Sequence, residues 1–163
     1  MYHHQAIKIE RCIVKPGVGF GPLHFGMTKN EVIEVLGQKP HKEEINTDVV
    51  WEYFEFMYPF VDWTDPVLRL TFDSLEDFKL TSIYVSGSQY AIENSRIELF
   101  NMKLAEQTPK SLLLENIKIE SKDNFTFISS DELGLTIRFE NNMFNSISLF
   151  PCFLNDDEYQ WPN

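Results

Sequence analysis

Cysteine is scarce in this chain, and long apolar runs are absent. The two cysteines, Cys12 and Cys152, lie near opposite ends of the 163 residues and outside any Cys-x-x-Cys spacing, so no zinc or redox motif is predicted. No segment approaches the roughly 20 consecutive apolar residues of a membrane-spanning helix. The N-terminal residues also lack the apolar core of a signal peptide. We therefore expect a cytoplasmic protein with reduced thiols and no membrane contact.

Histidine is equally scarce, and the familiar catalytic motifs are missing. None of the four histidines lies in His-Glu-x-x-His spacing, and neither Gly-x-Ser-x-Gly nor a P-loop occurs. Cys12 and His24 offer a nucleophile and a base, but no third group is evident to orient them. His3 and His4 are adjacent without a third metal ligand nearby. We therefore predict no enzymatic activity, no cofactor and no metal site.

Basic residues are outnumbered by acidic ones, 14 to 25, which gives a formal net charge of −11. Such a surface repels nucleic acids and anionic membranes, whereas it attracts a basic protein and speeds the encounter. The excess is local: residues 43–77 contain ten acidic residues and one basic residue, a balance of −9. Residues 1–42 balance at +3 and residues 78–163 at −5. A basic partner is therefore expected at segment 43–77.

A glycine-rich stretch precedes the clearest helix signal. Gly17, Gly19 and Gly21 form a Gly-x-Gly-x-Gly run that leads into a proline and a short strand at 23–25. A dinucleotide-binding loop would lead directly into a helix with Gly-x-Gly-x-x-Gly spacing, so we interpret the run as a structural turn. Thr28 and Glu31 then predict a capping box, with Gly37 ending the helix. The predicted apolar face consists of Val32, Ile33, Val35 and Leu36.

Antiparallel strands are predicted after this helix. A polar connector at 38–47 leads to an aromatic strand at 49–56, in which adjacent Tyr53 and Phe54 indicate burial on both faces or a bulge. A loop with two prolines follows at 57–66. Alternating apolar residues predict strands at 68–72 and 80–85, joined by an acidic turn at 73–77.

A weaker copy of the pattern begins about eighty residues later. Thr108 and Pro109 predict a second helix start, and Leu112, Leu113, Leu114 and Ile117 would form its apolar face. Strands are predicted at 125–128, 135–139 and 146–149. With 43% hydrophobic residues, the chain can bury a substantial core.

The predicted fold is a single α+β domain over 1–163. It would contain two pseudo-repeats, about 17–86 and 95–150, each a short helix packed on antiparallel strands of one shared, mainly antiparallel sheet. An acidic tail occupies 151–163. Its residues 155–161 combine acids with aromatic rings. We expect the tail to be either a second contact with the partner or a disordered end.

Aromatic residues share the acidic segment, as expected for an interface with a basic protein. The alternative is that rings such as Phe60 and Trp63 plug the end of the sheet beneath a solvated loop. The candidate partner-binding residues are Glu52, Glu55, Tyr58, Asp62, Trp63, Asp65, Asp73, Glu76 and Asp77.

A family resemblance lies in the run GFGPLHFGMT at 19–28, followed by Glu31-Val32 and Leu36-Gly37. It resembles a signature of small bacterial α+β domains of the β-lactamase-inhibitor-protein type. The small lipoprotein of the outer-membrane assembly machinery has a similar signature, as do immunity proteins of contact-dependent growth inhibition. The chain lacks the lipoprotein's export signal and lipid-carrying cysteine, and the secreted inhibitor's signal peptide and disulfides.

The resemblance therefore implies a cytoplasmic immunity protein that binds a basic toxin domain, such as a nuclease, and blocks its active site. The alternative function is a non-catalytic scaffold, or a domain whose concave sheet face binds a small apolar ligand among phenylalanines. The two differ in salt dependence, because only the basic partner would dissociate steeply with salt. The oligomeric state is not predicted.

Overall fold

Short strands account for most of the regular structure. The computed structural model describes residues 7–54, 66–87, 92–112, 114–156 and 158–162. Within them the α-helix is α1 (Lys29–Leu36). The strands are β1 (Ile13–Lys15), β2 (Gly19–Phe20), β3 (Leu23–His24), β4 (Lys42–Ile45), β5 (Val49–Tyr53), β6 (Leu68–Asp73), β7 (Lys79–Val85), β8 (Glu98–Leu99), β9 (Met102–Lys103), β10 (Lys118–Lys122), β11 (Phe125–Ser130), β12 (Leu135–Glu140), β13 (Met143–Leu149), β14 (Phe153–Asn155) and β15 (Glu158–Tyr159).

The main sheet has eight strands in the order β10-β11-β12-β13-β7-β6-β5-β4. All neighbours in it are antiparallel, and β7 and β13 join its two halves. A smaller sheet has the order β3-β2-β1-β8-β9, with β1 and β8 parallel. β14 and β15 form a separate hairpin. The predicted α+β class with a mainly antiparallel sheet is confirmed.

The core follows the predicted alternation. Leu68, Leu70 and Phe72 of β6 are fully buried, and the apolar residues of β12 are buried in the same way. Tyr53 and Phe54 are also both buried, as their adjacency predicted. The buried apolar residues of both sheets and of α1 belong to one hydrophobic cluster. The described residues contain no helix long and apolar enough to cross a membrane.

Helix α1 has the predicted ends. The Glu31 backbone N–H donates to Thr28 Oγ1 at 3.2 Å, and the Thr28 N–H donates to Glu31 Oε1 at 3.3 Å, which completes the capping box. Gly37 closes the helix with a left-handed φ of 77°. The apolar face is narrower than predicted, because Val32 is buried whereas Val35 is exposed.

Removing the cap should cost measurable stability. We expect Thr28→Ala to lower the free energy of unfolding by about 1 kcal/mol, because the backbone N–H of Glu31 loses its acceptor, Thr28 Oγ1. Thr28→Ser retains the hydroxyl acceptor and should stay close to wild type. Urea unfolding followed by circular dichroism measures both. Equal losses in the two variants would contradict the role of the hydroxyl.

The predicted second helix is wrong. Thr108 does cap a turn, since its Oγ1 accepts from the Ser111 N–H at 3.2 Å. The turn does not continue, however, and the described residues beyond it are irregular until β10 begins. The Ser111 hydroxyl accepts from the Thr108 N–H at 2.7 Å and donates to Gln107 at 2.9 Å. Such local bonds compete with helix formation. Asn116 then adopts a φ of 53°, which no α-helix accommodates.

Candidate functional site

The acidic turn after β6 is held rigidly by two carboxylates. Asp73 Oδ1 accepts from the Leu75 N–H, and Asp48 Oδ1 accepts from the Ser74 N–H, both at 2.9 Å. These bonds fix a single 3₁₀ turn at Ser74–Glu76. The turn leaves the Leu75 side chain 89% exposed. The Leu75 side chain therefore projects from the acidic turn into solvent and does not pack in the core.

The C-terminal residues form an ordered aromatic hairpin. The rings of Phe153 and Tyr159 stack with centroids 5.0 Å apart, and Tyr159 meets Trp161 at 5.5 Å. Trp161 also packs against the core, close above Gly26. Phe153 and Leu154 remain 56% and 64% exposed. The described residues of the tail therefore form a hairpin whose rings contact one another.

The turn and the hairpin meet at one surface. A cavity of about 410 Å³ opens between them. It is lined by Glu76, Leu154, Glu158, Tyr159, Gln160 and Trp161. We call residues 73–78, together with the described residues of 153–161, the turn–hairpin surface.

Negative charge converges on Tyr159 in this surface. Burial raises the pKa of the Tyr159 hydroxyl above its ordinary value. The carboxylates of Asp73, Glu76 and Asp48 raise the pKa further, because they disfavour the tyrosinate anion. Asp48 thus acts on Tyr159 together with the acidic turn, although it precedes β5 in the sequence. The aromatic ring thus sits in a field that would favour an incoming cation.

The titration of Tyr159 tests this convergence. We expect Glu76→Gln to lower the pKa of Tyr159 toward its ordinary value, because one of the carboxylates that oppose tyrosinate formation is removed. The ring resonances of Tyr159, followed by NMR as the pH is raised, report the shift. Glu34→Gln, an exposed position on α1, is the control and should leave the titration unchanged. An unaltered Tyr159 titration in Glu76→Gln would show that Glu76 lies too far away.

Within the described part of the chain, the carboxylates of the turn–hairpin surface form no ion pair. Among the described residues, the ion pairs engage other acids: Glu44, Glu52, Glu93 and Glu120. The nearby ammonium groups contact rings instead. Lys79 Nζ lies 5.5 Å from the centre of the Trp161 ring, and Lys29 Nζ lies 5.0 Å from that of Phe78.

The sequence-predicted site residues fall into three groups. Three of them, Asp73, Glu76 and Asp77, lie on the acidic turn. Glu52 lies in β5, where it is only 8% exposed and accepts from the Arg69 guanidinium at 3.1 Å, so its charge is compensated within the sheet. The remaining five lie outside the described residues: Glu55, Tyr58, Asp62, Trp63 and Asp65.

Sequence reasoning missed the apolar half of the surface. Leu75, Phe153 and Leu154 were not proposed, and neither was Tyr159 as a site residue. The available signals were the leucine placed between acids in a predicted turn, and the acids and rings of 155–161. What no local pattern indicated is that the two segments come together.

The groups considered for catalysis are engaged elsewhere. Cys12 Sγ donates to the Ile9 carbonyl at 3.3 Å, and burial raises the pKa of this thiol. A His24 ring nitrogen donates to the Phe25 carbonyl at 3.2 Å, so the two side chains are not hydrogen bonded to each other. In the described part of the chain, no three His, Cys, Asp or Glu side chains are grouped to hold a metal ion. Cys12 and Cys152 are free thiols.

No family model, curated protein or solved structure matches this chain. A functional proposal therefore depends on the geometry and charge of its own residues.

Proposed function

We propose that this chain is a cytoplasmic immunity protein that binds a basic toxin domain, such as a nuclease, and covers its active site. The proposed contact is the turn–hairpin surface. The observation that carries the proposal is that exposed apolar side chains meet carboxylates that are not ion-paired with any described residue.

Exposed apolar area favours a protein partner over a merely solvated acidic face. Leu75, Phe153 and Leu154 project from the two segments that form the surface. Apolar area rimmed by polar groups is typical of interaction sites, because its removal from water stabilises a complex. A face that served only to keep the chain in solution would need the acids alone.

Unpaired acids favour a basic partner. Asp73, Glu76 and Glu158 can meet an incoming basic residue, because no lysine or arginine among the described residues is ion-paired with them. A toxin that cleaves nucleic acid needs lysines and arginines to hold phosphates. Carboxylates placed over those residues would exclude the substrate while steering the encounter.

We also propose that the chain consists of two pseudo-repeats, about 17–86 and 95–150, as in the resemblance to the β-lactamase-inhibitor-protein type. Each half contributes four consecutive antiparallel strands to the main sheet. At the junction, Ile147 pairs with Val85 and Leu149 pairs with Ile83. A two-fold relation between 82–85 and 146–149 would produce this symmetrical register, which supports the proposal although the described residues of the second half contain no matching helix.

Affinity capture tests the proposed function. We expect the tagged chain to retain a basic protein from the producing cells at low salt and to release it at high salt. Cells that express the captured protein should survive only when this chain is co-expressed. Capture of an acidic protein, or release that does not depend on salt, would contradict the proposal. A co-purifying apolar molecule without a protein would instead favour the alternative ligand-binding function.

Paired variants locate the contact. Leu75→Ser with Leu154→Ser removes apolar area from the turn–hairpin surface. Ile119→Ser with Met143→Ser makes a matched change at exposed apolar residues of β10 and β13. Only the first pair should lose the captured protein. Equal retention by both pairs would place the contact elsewhere.

A further inference from the structure

We infer that the cavity between the turn and the hairpin binds one arginine side chain of the basic partner. The inference rests on the proposed function and deepens it, because it names the chemical group that the surface recognises. The cavity combines two carboxylates, Glu76 and Glu158, with the rings of Tyr159 and Trp161.

The lining matches the two parts of an arginine side chain. Leu154 and the ring faces provide apolar area for the methylene stem, while the carboxylates accept from the charged head. None of the described residues that line the cavity is basic. The volume of about 410 Å³ is ample for one side chain and for the water that it displaces.

The rings at this end of the molecule already attract the protein's own cations. Lys79 Nζ lies over Trp161, and Lys29 Nζ lies over Phe78. Cation–π contact of this kind is strengthened by nearby carboxylates, which raise the local density of negative charge. Trp161 and Tyr159 also line the cavity, so a further cation bound there would lie beside rings of this kind.

An organic cation fits better than a metal ion, and arginine better than lysine. In the described part of the chain no three carboxylates converge as a metal site would require. A guanidinium is planar, stacks on aromatic faces and loses hydration more easily than an ammonium group. It can therefore contact a ring and a carboxylate at the same time, whereas lysine offers only a point charge.

Three peptides that differ at one position test the inference directly. Acetyl-Gly-Xaa-Gly-amide, with arginine, lysine or citrulline as Xaa, is titrated into the labelled full chain and followed by NMR. The indole N–H signal of Trp161 is assigned with a Trp161→Phe variant. We expect the arginine peptide to shift the Trp161 and Tyr159 signals with a dissociation constant on the order of 1 mM. The lysine peptide should bind at least about fivefold more weakly, and the uncharged citrulline peptide should not bind.

Variants separate this cavity from general attraction by the acidic chain. Glu76→Gln with Glu158→Gln should weaken arginine binding by about tenfold, whereas Glu106→Gln with Glu115→Gln makes the same charge change at other exposed acids and should not. Equal binding of lysine and arginine, binding of citrulline, or absence of shifts at Trp161 would each overturn the inference. If the peptide titration fails but a basic protein is still captured, the inference about arginine is wrong and the proposed function stands. Peptide binding without any basic partner would instead contradict the proposed function alone.

Discussion

Charge reversal on the turn–hairpin surface is expected to slow association with the captured partner by about 10- to 1000-fold at low salt. The variant combines Glu76→Lys, Asp156→Lys and Glu158→Lys, which replace three carboxylates that form no ion pair with a described residue by ammonium groups. Long-range attraction then becomes repulsion during the encounter. Stopped-flow measurements over a range of ionic strength give the association rates. The rates of the wild type and of the variant should become similar at high salt.

The choice of positions protects the fold. Asp73 is left unchanged because its side chain holds the turn, and Asp77 because it adopts a left-handed φ of 54° that aspartate tolerates better than lysine. Circular dichroism and the unfolding midpoint should therefore stay close to wild type. If they do not, Glu76→Gln with Glu158→Gln provides a milder test of the same surface.

A control variant separates local from overall charge. Glu34→Lys, Glu106→Lys and Glu115→Lys change the net charge by the same amount at exposed positions outside the surface. We expect this variant to slow association far less, since a focused field acts near the contact and decays within about 10 Å at 0.1 M salt. Equal slowing in both variants would mean that only the net charge matters. Wild-type rates in the surface variant would remove this surface from the mechanism.

Local sequence signals correctly predicted those elements whose pattern of buried and exposed residues, or whose capping residues, can be recognised within a few positions of the chain. The alternation in β6 and β12 was visible because one face of each strand is buried and the other is not. The start of α1 was visible because a capping box needs only Thr28 and Glu31. These elements are specified by residues close together in the chain.

Strands β4 and β10 were not predicted, because their sequences lack an alternating hydrophobic pattern. Every residue of β4 and β10, the two edges of the main sheet, is exposed, so neither strand has a hydrophobic period. Both contain charged residues, including the Lys42–Glu44 and Lys118–Glu120 ion pairs, as edge strands do to discourage further pairing. The prediction of the second helix was wrong although a signal was present. Its leucines suited a helix, but Ser111 forms hydrogen bonds that end the turn.

The candidate site was only half predictable because it is assembled by the fold. Summing charge along the chain located an acidic excess at 43–77 but treated Glu52 like Glu76, although Arg69 compensates the first and not the second. The hairpin joins the site from about eighty residues further on, and only the tertiary structure places it beside the turn. Acidic composition therefore leads to the prediction of a basic partner, which stays a prediction, while the proposed location of the contact depends on the structure.

Gly19→Ala is expected to cause a large loss of stability, about 3 kcal/mol or more of the free energy of unfolding. An alanine Cβ at this position would lie 2.0 Å from the Leu23 carbonyl oxygen and 2.7 Å from His24 Cα. Both are backbone atoms of β3, the partner strand of β2, so no side-chain movement can relieve the clash. Urea unfolding measures the loss, and a chain that no longer folds is an equally clear result.

Gly37→Ala distinguishes close approach from backbone conformation. Gly37 has a left-handed φ of 77°, but nothing lies within 4 Å of the added Cβ, so we expect a cost of only about 1 kcal/mol. The difference between the two variants isolates the strand contact at Gly19. It also tests the interpretation of the Gly-x-Gly-x-Gly run, since a glycine that serves β2–β3 packing must be small whether or not any ligand is present. Equal stability of the two variants would show that the hairpin can open enough to admit a methyl group, and that the run has to be explained in another way.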